Sequence, residues 1–513
     1  MNAIDTDLLA DRLNRLVKLA MDTGEAASVE EAEKLFSDYR LAIAVGEGVR
    51  WSATQQAALL TIVNCGRRSL LGGVEVEGIA GMPLLLPLYP YRTLEEAVLG
   101  LGGRVVAAAS RDVPLVVVGD GRVDADRAFA IRTTFDGWAG GVVPARAEEL
   151  RLAERQEFIP SGVLSGAVAV AEVFQHLRQG NPAACRRSTG LSLWRPEDDW
   201  QKAQAVGPVI TRLPSAVWLI GIGNVGQAYL WTIGLLPYEQ PNEVQIVLQD
   251  YDILALSNDS TSLLTHQALI GARKTRAIAH WAERRGFKTS IVERRFAADF
   301  RVGADDPAVA LCGVDNALAR AALEDAGFAR VIEAGLGYGI RDYLGFRTHV
   351  FPAPRRARDI WRTEESTEEI LTDLPAYRAL TASGADQCGL TQLAGRTVGA
   401  PFVGAVAAAV VIGELLRTVN GGHSYELIDG HLRNLDHRTV LQATETGPFN
   451  PGSTGAVSSP VGPGLKDSSR NADTGSNLRG HANTNRTGTQ GTPRSRQFAD
   501  PIRSSLLREE TAR

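Results

Sequence analysis

The sequence predicts a doubly wound α/β protein, preceded by a related but degenerate α/β domain and followed by a disordered tail. Three observations point there. Strands and helices alternate from about 214 to 441, the pattern of a parallel sheet covered by helices. The first strand of that run ends in a glycine-rich turn that opens a helix. The first 200 residues carry a truncated echo of the same order.

Taken in order, AVWLIGIG (216–223) reads as a buried strand and 225–236 as the helix behind it. VQIVLQD (244–250) is a second strand, and 272–285 a helix with one polar face. VALCGVD (309–315), 317–326 and VIEAGL (331–336) repeat strand, helix and strand, and LGFRTHVFP (344–352) adds a further strand. After a long irregular crossover, VGAVAAAVVIGELLRTV (403–419) is an almost wholly apolar helix that has to be buried. YELID (425–429) is expected to end the sheet.

The echo is read from three segments in matching order. VPLVVVGDG (113–121) stands where VALCGVDN stands, IRTTFDGWAGGVVPA (131–145) where VIEAGLGYGIRDYLGFRTHVFPA stands, and SGVLSGAVAVAEVFQHLR (161–178) where GAPFVGAVAAAVVIGELLR stands. This N-terminal copy reads as having no glycine-rich loop, so a fold-related domain that binds no nucleotide is expected; an unrelated α/β domain is the alternative. From 446 onward Gly, Ser, Thr, Asn and Pro dominate, a composition unable to offset its ordering entropy by burial. The expected division is 1–200, 201–445 and a disordered 446–513, with a short frayed helix near 501–510.

Composition narrows the function classes. With 513 residues the chain is too long for one ordinary core. A net charge of −5 gives no general reason to expect nucleic acid or an anionic membrane as partner. No run reaches the ~18–20 apolar residues of a membrane span, and the N-terminus alternates charged and apolar residues rather than forming a secretory signal. A cytoplasmic protein is expected. The four cysteines (Cys65, Cys185, Cys312, Cys388) form no C-x-x-C pair, so neither a four-cysteine zinc site nor a disulfide framework is expected.

GIGNVG (Gly221, Gly223, Asn224, Gly226) sits where a strand gives way to a helix, so backbone N–H groups and the helix dipole can face a phosphate. That loop alone fits NAD, FAD, ATP or S-adenosyl donors. Asp250 closes the next strand, where a carboxylate can hold ribose hydroxyls, although a solvated strand-end aspartate is equally ordinary. Asn258, Lys274, Asp315 and Arg320 then follow in order. A dehydrogenase has no shared use for them. An adenylating site does: the lysine neutralises triphosphate charge, the asparagine orients phosphate, and the aspartate can hold magnesium. Each has a plainer reading alone: Lys274 as surface charge beside Arg273 and Arg276, Asp315 as a helix cap.

Together GIGNVG, DYDILALSN, GARKTRA and GVDNALAR resemble the ubiquitin-activating enzymes and their ThiF and MoeB relatives over about 214–441. The resemblance implies a Rossmann-like, ThiF-like fold using ATP and Mg²⁺. It implies that Asp250 binds ribose, Asn258 and Lys274 the triphosphate with the glycine loop, and Asp315 the metal. Its substrate is the C-terminal carboxylate of a ubiquitin-like or sulfur-carrier protein ending in Gly. By the same resemblance, the N-terminal domain is an inactive pseudo-adenylation half, giving a monomer with pseudo-dimeric halves or a homodimer.

Three departures stand out. Where the family has S-N-x-x-R, this chain has Thr261. The replacement cation is sought in Arg273, Arg320 or the N-terminal domain, where Arg12 and Arg15 are candidates because the family takes an arginine from a partner half's first helix. The family's frequent zinc cysteines are missing, and no conjugating or rhodanese domain is attached, so a separate conjugating or sulfur-transfer protein is expected.

Cys388 lies in GADQCGLTQLAGRTVGAPFVGA, inside the crossover. The resemblance makes it the nucleophile that receives the acyl group as a thioester; a loop rich in Gly, Ala and Thr would let it move, and a nearby helix N-terminus would favour the thiolate. A buried structural cysteine is the plainer alternative. Three other functions stay open: adenylation of a short peptide's C-terminus, a nicotinamide-dependent oxidoreductase, and a non-catalytic scaffold.

Overall fold

The computed structural model describes residues 10–124, 127–361, 372–385, 387–444 and 450–457. A short helix α1 (Val17–Asp22) precedes the first sheet. Its strands are β1 (Arg40–Val45), β2 (Gly73–Glu77), β3 (Arg104–Val105), β4 (Leu115–Val118), β5 (Ala130–Asp136), β6 (Ala139–Pro144) and β7 (Thr189–Ser192). Helices α2 (Ala53–Ser69), α3 (Leu94–Gly100) and α4 (Ile159–Leu177) connect them. The strand order is β3-β2-β1-β4-β5-β6-β7, parallel from β3 to β5 and antiparallel from there to β7. The central strands β1 (RLAIAV) and β4 (LVVV) are apolar on both faces, as parallel strands sandwiched by helices must be.

The second sheet follows β8 (Arg212–Pro214). It contains β9 (Ala216–Ile220), β10 (Gln245–Gln249), β11 (Lys288–Val292), β12 (Val309–Cys312), β13 (Arg330–Leu336), β14 (Gly345–Phe351), β15 (Tyr425–His431) and β16 (Thr439–Gln442). Its helices include α5 (Asn224–Gly234), α6 (Leu256–Asp259), α7 (Lys274–Arg284), α8 (Ala317–Ala321), α9 (Pro375–Ala382), α10 (Gln387–Ala394) and α11 (Pro401–Val419). The order is β11-β10-β9-β12-β13-β14-β15-β16, again parallel up to β13 and antiparallel beyond it. β1 therefore corresponds to β9, β4 to β12 and β7 to β15, so the echo read from the sequence is one topology built twice. Both sheets are mixed, with a parallel half and an antiparallel half.

The apolar helices α4 and α11 pack on each other, on α2 and α5, and each on its own sheet, so the halves join through a shared helical core. Glycines set the approach: a Cβ on Gly162 would lie 2.2 Å from Thr54 O, and one on Gly166 2.4 Å from Ala58 O. α11 is the one described helix long and apolar enough to cross a bilayer, and it is buried between the sheets. Each core helix also carries a buried glutamate that fixes the chain entering the next strand. Glu172 accepts from Cys185 N–H and Arg187, each at 2.8 Å, while Glu414 accepts from Ser424 Oγ at 2.6 Å and pairs with Arg417.

Three expectations are corrected. β15 does not end the second sheet, because β16 adds a short antiparallel edge strand, TVLQ, whose two adjacent apolar residues give no alternating pattern. The expected tail is not wholly outside the fold: β17 (Ser453–Gly455) pairs antiparallel with β8, through backbone groups that composition does not report. Residues 458–513, including the helix expected near 501–510, lie outside the described residues. Finally, the N-terminal half does keep a Gly46-Glu47-Gly48 turn between β1 and α2. Asp120 Oδ1 accepts from Gly48 N–H at 3.0 Å and lies where a Cβ on Gly46 would come within 2.1 Å. The Asp120 carboxylate thus closes this turn.

Candidate functional site

The second half keeps its loop open. β9 ends at Ile220, Gly221 turns the chain at φ +85°, and α5 begins at Asn224. A Cβ on Gly226 would lie 1.9 Å from Gly221 O, and one on Gly313 3.0 Å from Gly226 N, so loop, helix and the end of β12 meet without room for side chains. A Cβ on Gly223 would meet nothing within 4 Å, which leaves the loop's outer side free. Asp250 braces this turn: Ile222 N–H donates to its Oδ2 at 2.7 Å and Asp252 N–H to its Oδ1 at 2.9 Å. Gly226→Ala is expected to destabilise the fold by about 1–3 kcal/mol, because the new methyl meets backbone rather than a yielding side chain. Thermal unfolding measures this, and an unchanged midpoint would contradict the geometry.

The charged residues reach the loop through two chains of contacts. In one, Lys274 opens α7, is only 8% exposed, and donates from Nζ to Asp252 Oδ2 at 2.7 Å. Asp252 thus joins the site although only Asp250 was singled out; the second acid of the D-Y-D stretch is the sequence signal for it. In the other, Asn258 Oδ1 caps α6 by accepting from Ala255 N–H at 2.9 Å. Ser260 Oγ, two residues on, accepts from Arg15 N–H at 3.1 Å.

That last bond brings the segment carrying Arg15 to the position after Ser260. Thr261 is buried, and a Cβ on Gly399 would touch both Thr261 Cγ2 (3.0 Å) and Arg15 Cβ (3.6 Å). Arg15 therefore stands beside the position where the resemblance places an arginine. Burial and the neighbouring Arg396 guanidinium lower its pKa to about 10, while Asp11 and Asp315 pull it upward. The other candidates are placed differently. Arg12 is exposed, Arg273 donates to Tyr251 O at 2.6 Å, and Arg320 donates to Val314 O at 2.7 Å while lying over the Trp361 ring and 3.6 Å from buried Glu333. Arg320 thus braces the end of β12. Asp315 is exposed just past β12, a single carboxylate that could bind a divalent ion. No cluster of three metal-binding side chains occurs among the described residues.

Two helices, α9 and α10, lie among the described residues of the crossover. Cys388 falls in the first turn of α10 rather than in a loop, because Leu390 and Leu393, three apart, are both buried. The description of Cys388 stops at its backbone. α10 is tied to α1: Lys18 Nζ donates to Ala394 O at 3.1 Å and to Asp22, whose other oxygen accepts from Tyr377 OH. The remaining cysteines are buried, with burial pushing the thiols of Cys65 and Cys312 up to about 12 and that of Cys185 upward as well. None of the three is poised as a thiolate.

One α/β topology is used twice in this chain, and the loop between β9 and α5 is the glycine-rich one. Family models described as the BilD C-terminal domain and the BilD N-terminal domain match residues 213–422 and 40–193. "Bacterial E1-like protein BilD" of Collimonas sp. (strain OK412) is 47% identical over 424 residues, covering 82% of this chain and 92% of that protein. The chain belongs to the BilD family of bacterial E1-like proteins. Among solved structures, E. coli MccB with MccA-N7isoASN aligns at 12% identity and a TM-score of 0.30, covering 45% of this chain and 65% of that one. PaaA aligns at 14% and 0.30 over 45% and 65%. The chain thus spans about two thirds of the length of those structures.

Proposed function

We propose that this protein uses ATP to adenylate the C-terminal carboxylate of a ubiquitin-like or sulfur-carrier protein and passes the acyl group to Cys388. The observation that carries the reading is the placement of Arg15 beside Thr261, within electrostatic range of Asp315. It restores a cation to a triphosphate site that otherwise holds the glycine loop, Asn258 and Lys274. Membership in an E1-like family supports the same class of chemistry.

In the first step a carboxylate oxygen attacks the α-phosphorus. The bond from that phosphorus to the bridging oxygen breaks, giving acyl-AMP and pyrophosphate. Lys274 and Arg15 bind charge that grows on the leaving pyrophosphate, so their effect is larger in the transition state than in the ground state. Asp250 holds the ribose end and Asn258 donates to phosphate oxygen. Magnesium, held by Asp315, would supply further charge neutralisation when bound. In the second step the Cys388 thiolate attacks the acyl carbon and AMP leaves with the bonding pair. The filled N-terminal loop supports a non-nucleotide role for residues 1–200, that of an internal partner half.

Labelled pyrophosphate should enter ATP only when a small protein ending in Gly is present. Absence of exchange across such acceptors would sink the proposal. Cys388→Ala should leave exchange within about twofold of wild type and abolish only a thiol-labile adduct. Loss of exchange in a folded Cys388→Ala would contradict the division into two steps.

A further inference from the structure

We infer that Arg396, in the segment between α10 and α11, is a second guanidinium of the triphosphate site and binds the departing pyrophosphate together with Arg15. This rests on the adenylation reading above and adds a residue to that site. Three observations place it there. Arg396 Nη2 reaches Asp11, four residues before Arg15, at 3.1 Å. Gly399, three residues on, packs against Thr261 and Arg15, and Ala400 O faces the Asn224 side chain of the glycine loop at 3.5 Å. The segment carrying Arg396 thus runs from α1 to the loop itself.

Charge balance points to an anion. The carboxylate that Arg396 meets is wet: its Nη2 donates to Asp11 Oδ1 at 3.1 Å, and Asp11 is half exposed, as is typical of a weak surface pair. Arg396 Nε is buried without a hydrogen-bond partner among the described residues. Like charges held together in a partly dry setting are unfavourable unless a multiply charged ligand joins them. A triphosphate at the glycine loop would do so, since arginine's fork matches phosphate oxygens. Arg396 also directly follows α10, so its grip on pyrophosphate adjoins the helix that carries Cys388.

Isothermal titration of the full chain with ATP and with AMP tests this. Arg396→Ala should weaken ATP binding by about tenfold or more while leaving AMP within about twofold, since AMP lacks the β- and γ-phosphates. Arg396→Lys should fall between. Pyrophosphate should also inhibit exchange more weakly in both variants. Equal losses for ATP and AMP, or no loss, would overturn the assignment. Should the alanine variant not fold, the lysine variant decides by the same ATP-to-AMP ratio. A wild-type chain that binds neither nucleotide would overturn the adenylation reading with it, whereas wild-type ATP binding unaffected in both variants overturns Arg396 alone.

Discussion

Lys274→Ala and Arg15→Ala are each expected to lower acceptor-dependent pyrophosphate exchange by about a hundredfold or more, the usual cost of removing one preorganised charge from a developing anion. Lys274 is buried at the head of α7 and pairs with Asp252, so an arriving phosphate can take over that bond. Arg15 is the more discriminating of the two. It lies on the N-terminal segment, far in sequence from the glycine loop, and reaches the site because its own N–H is anchored on Ser260. The effect should appear mainly as lost turnover, with the melting temperature of each variant close to wild type. Asp315→Ala should likewise abolish exchange, and added Mg²⁺ should not restore it. Wild-type exchange in Arg15→Ala would show that the cation missing at Thr261 is not supplied from α1's segment.

The second large effect concerns stability. Glu414→Ala is expected to destabilise the chain by about 3–5 kcal/mol, since it leaves Arg417 charged and buried without its carboxylate. Both side chains are nearly fully buried in α11, and Glu414 also accepts from Ser424 at the entrance to β15. Arg417 lies over the Tyr425 ring at 4.4 Å, so its loss of a partner is transmitted to that strand. The double variant Glu414→Leu/Arg417→Met, which removes both charges, should recover much of the loss. Urea unfolding reads both variants. A single variant as stable as wild type would mean that the pair is not the anchor of this strand.

How far the sequence reached differs between fold and site. The core of the second half was legible because its strands are short apolar runs and its glycines stand at fixed offsets from a strand end. The repeat was legible because helices α4 and α11 share the small-residue pattern that lets them pack closely. Edge strands were not: β11 (KTSIV) and β16 (TVLQ) are short, mixed in polarity and largely exposed, and β17 is paired through its backbone. The N-terminal Gly46–Gly48 turn was missed because glutamate and tryptophan around it disguise the pattern, and only geometry shows Asp120 filling it.

The sequence alone determined the type of fold, its duplication, and the ordered residues Asp250, Asn258, Lys274 and Asp315, since these follow local rules of spacing and strand ends. It offered Arg12, Arg15, Arg273 and Arg320 as equals for the cation missing at Thr261. Tertiary structure places them differently, because what an arginine meets depends on contacts between segments hundreds of residues apart. Arg15 meets Ser260 and Thr261, Arg320 is held by Val314 and Trp361, and Arg396 enters only through the packing of the crossover on α1.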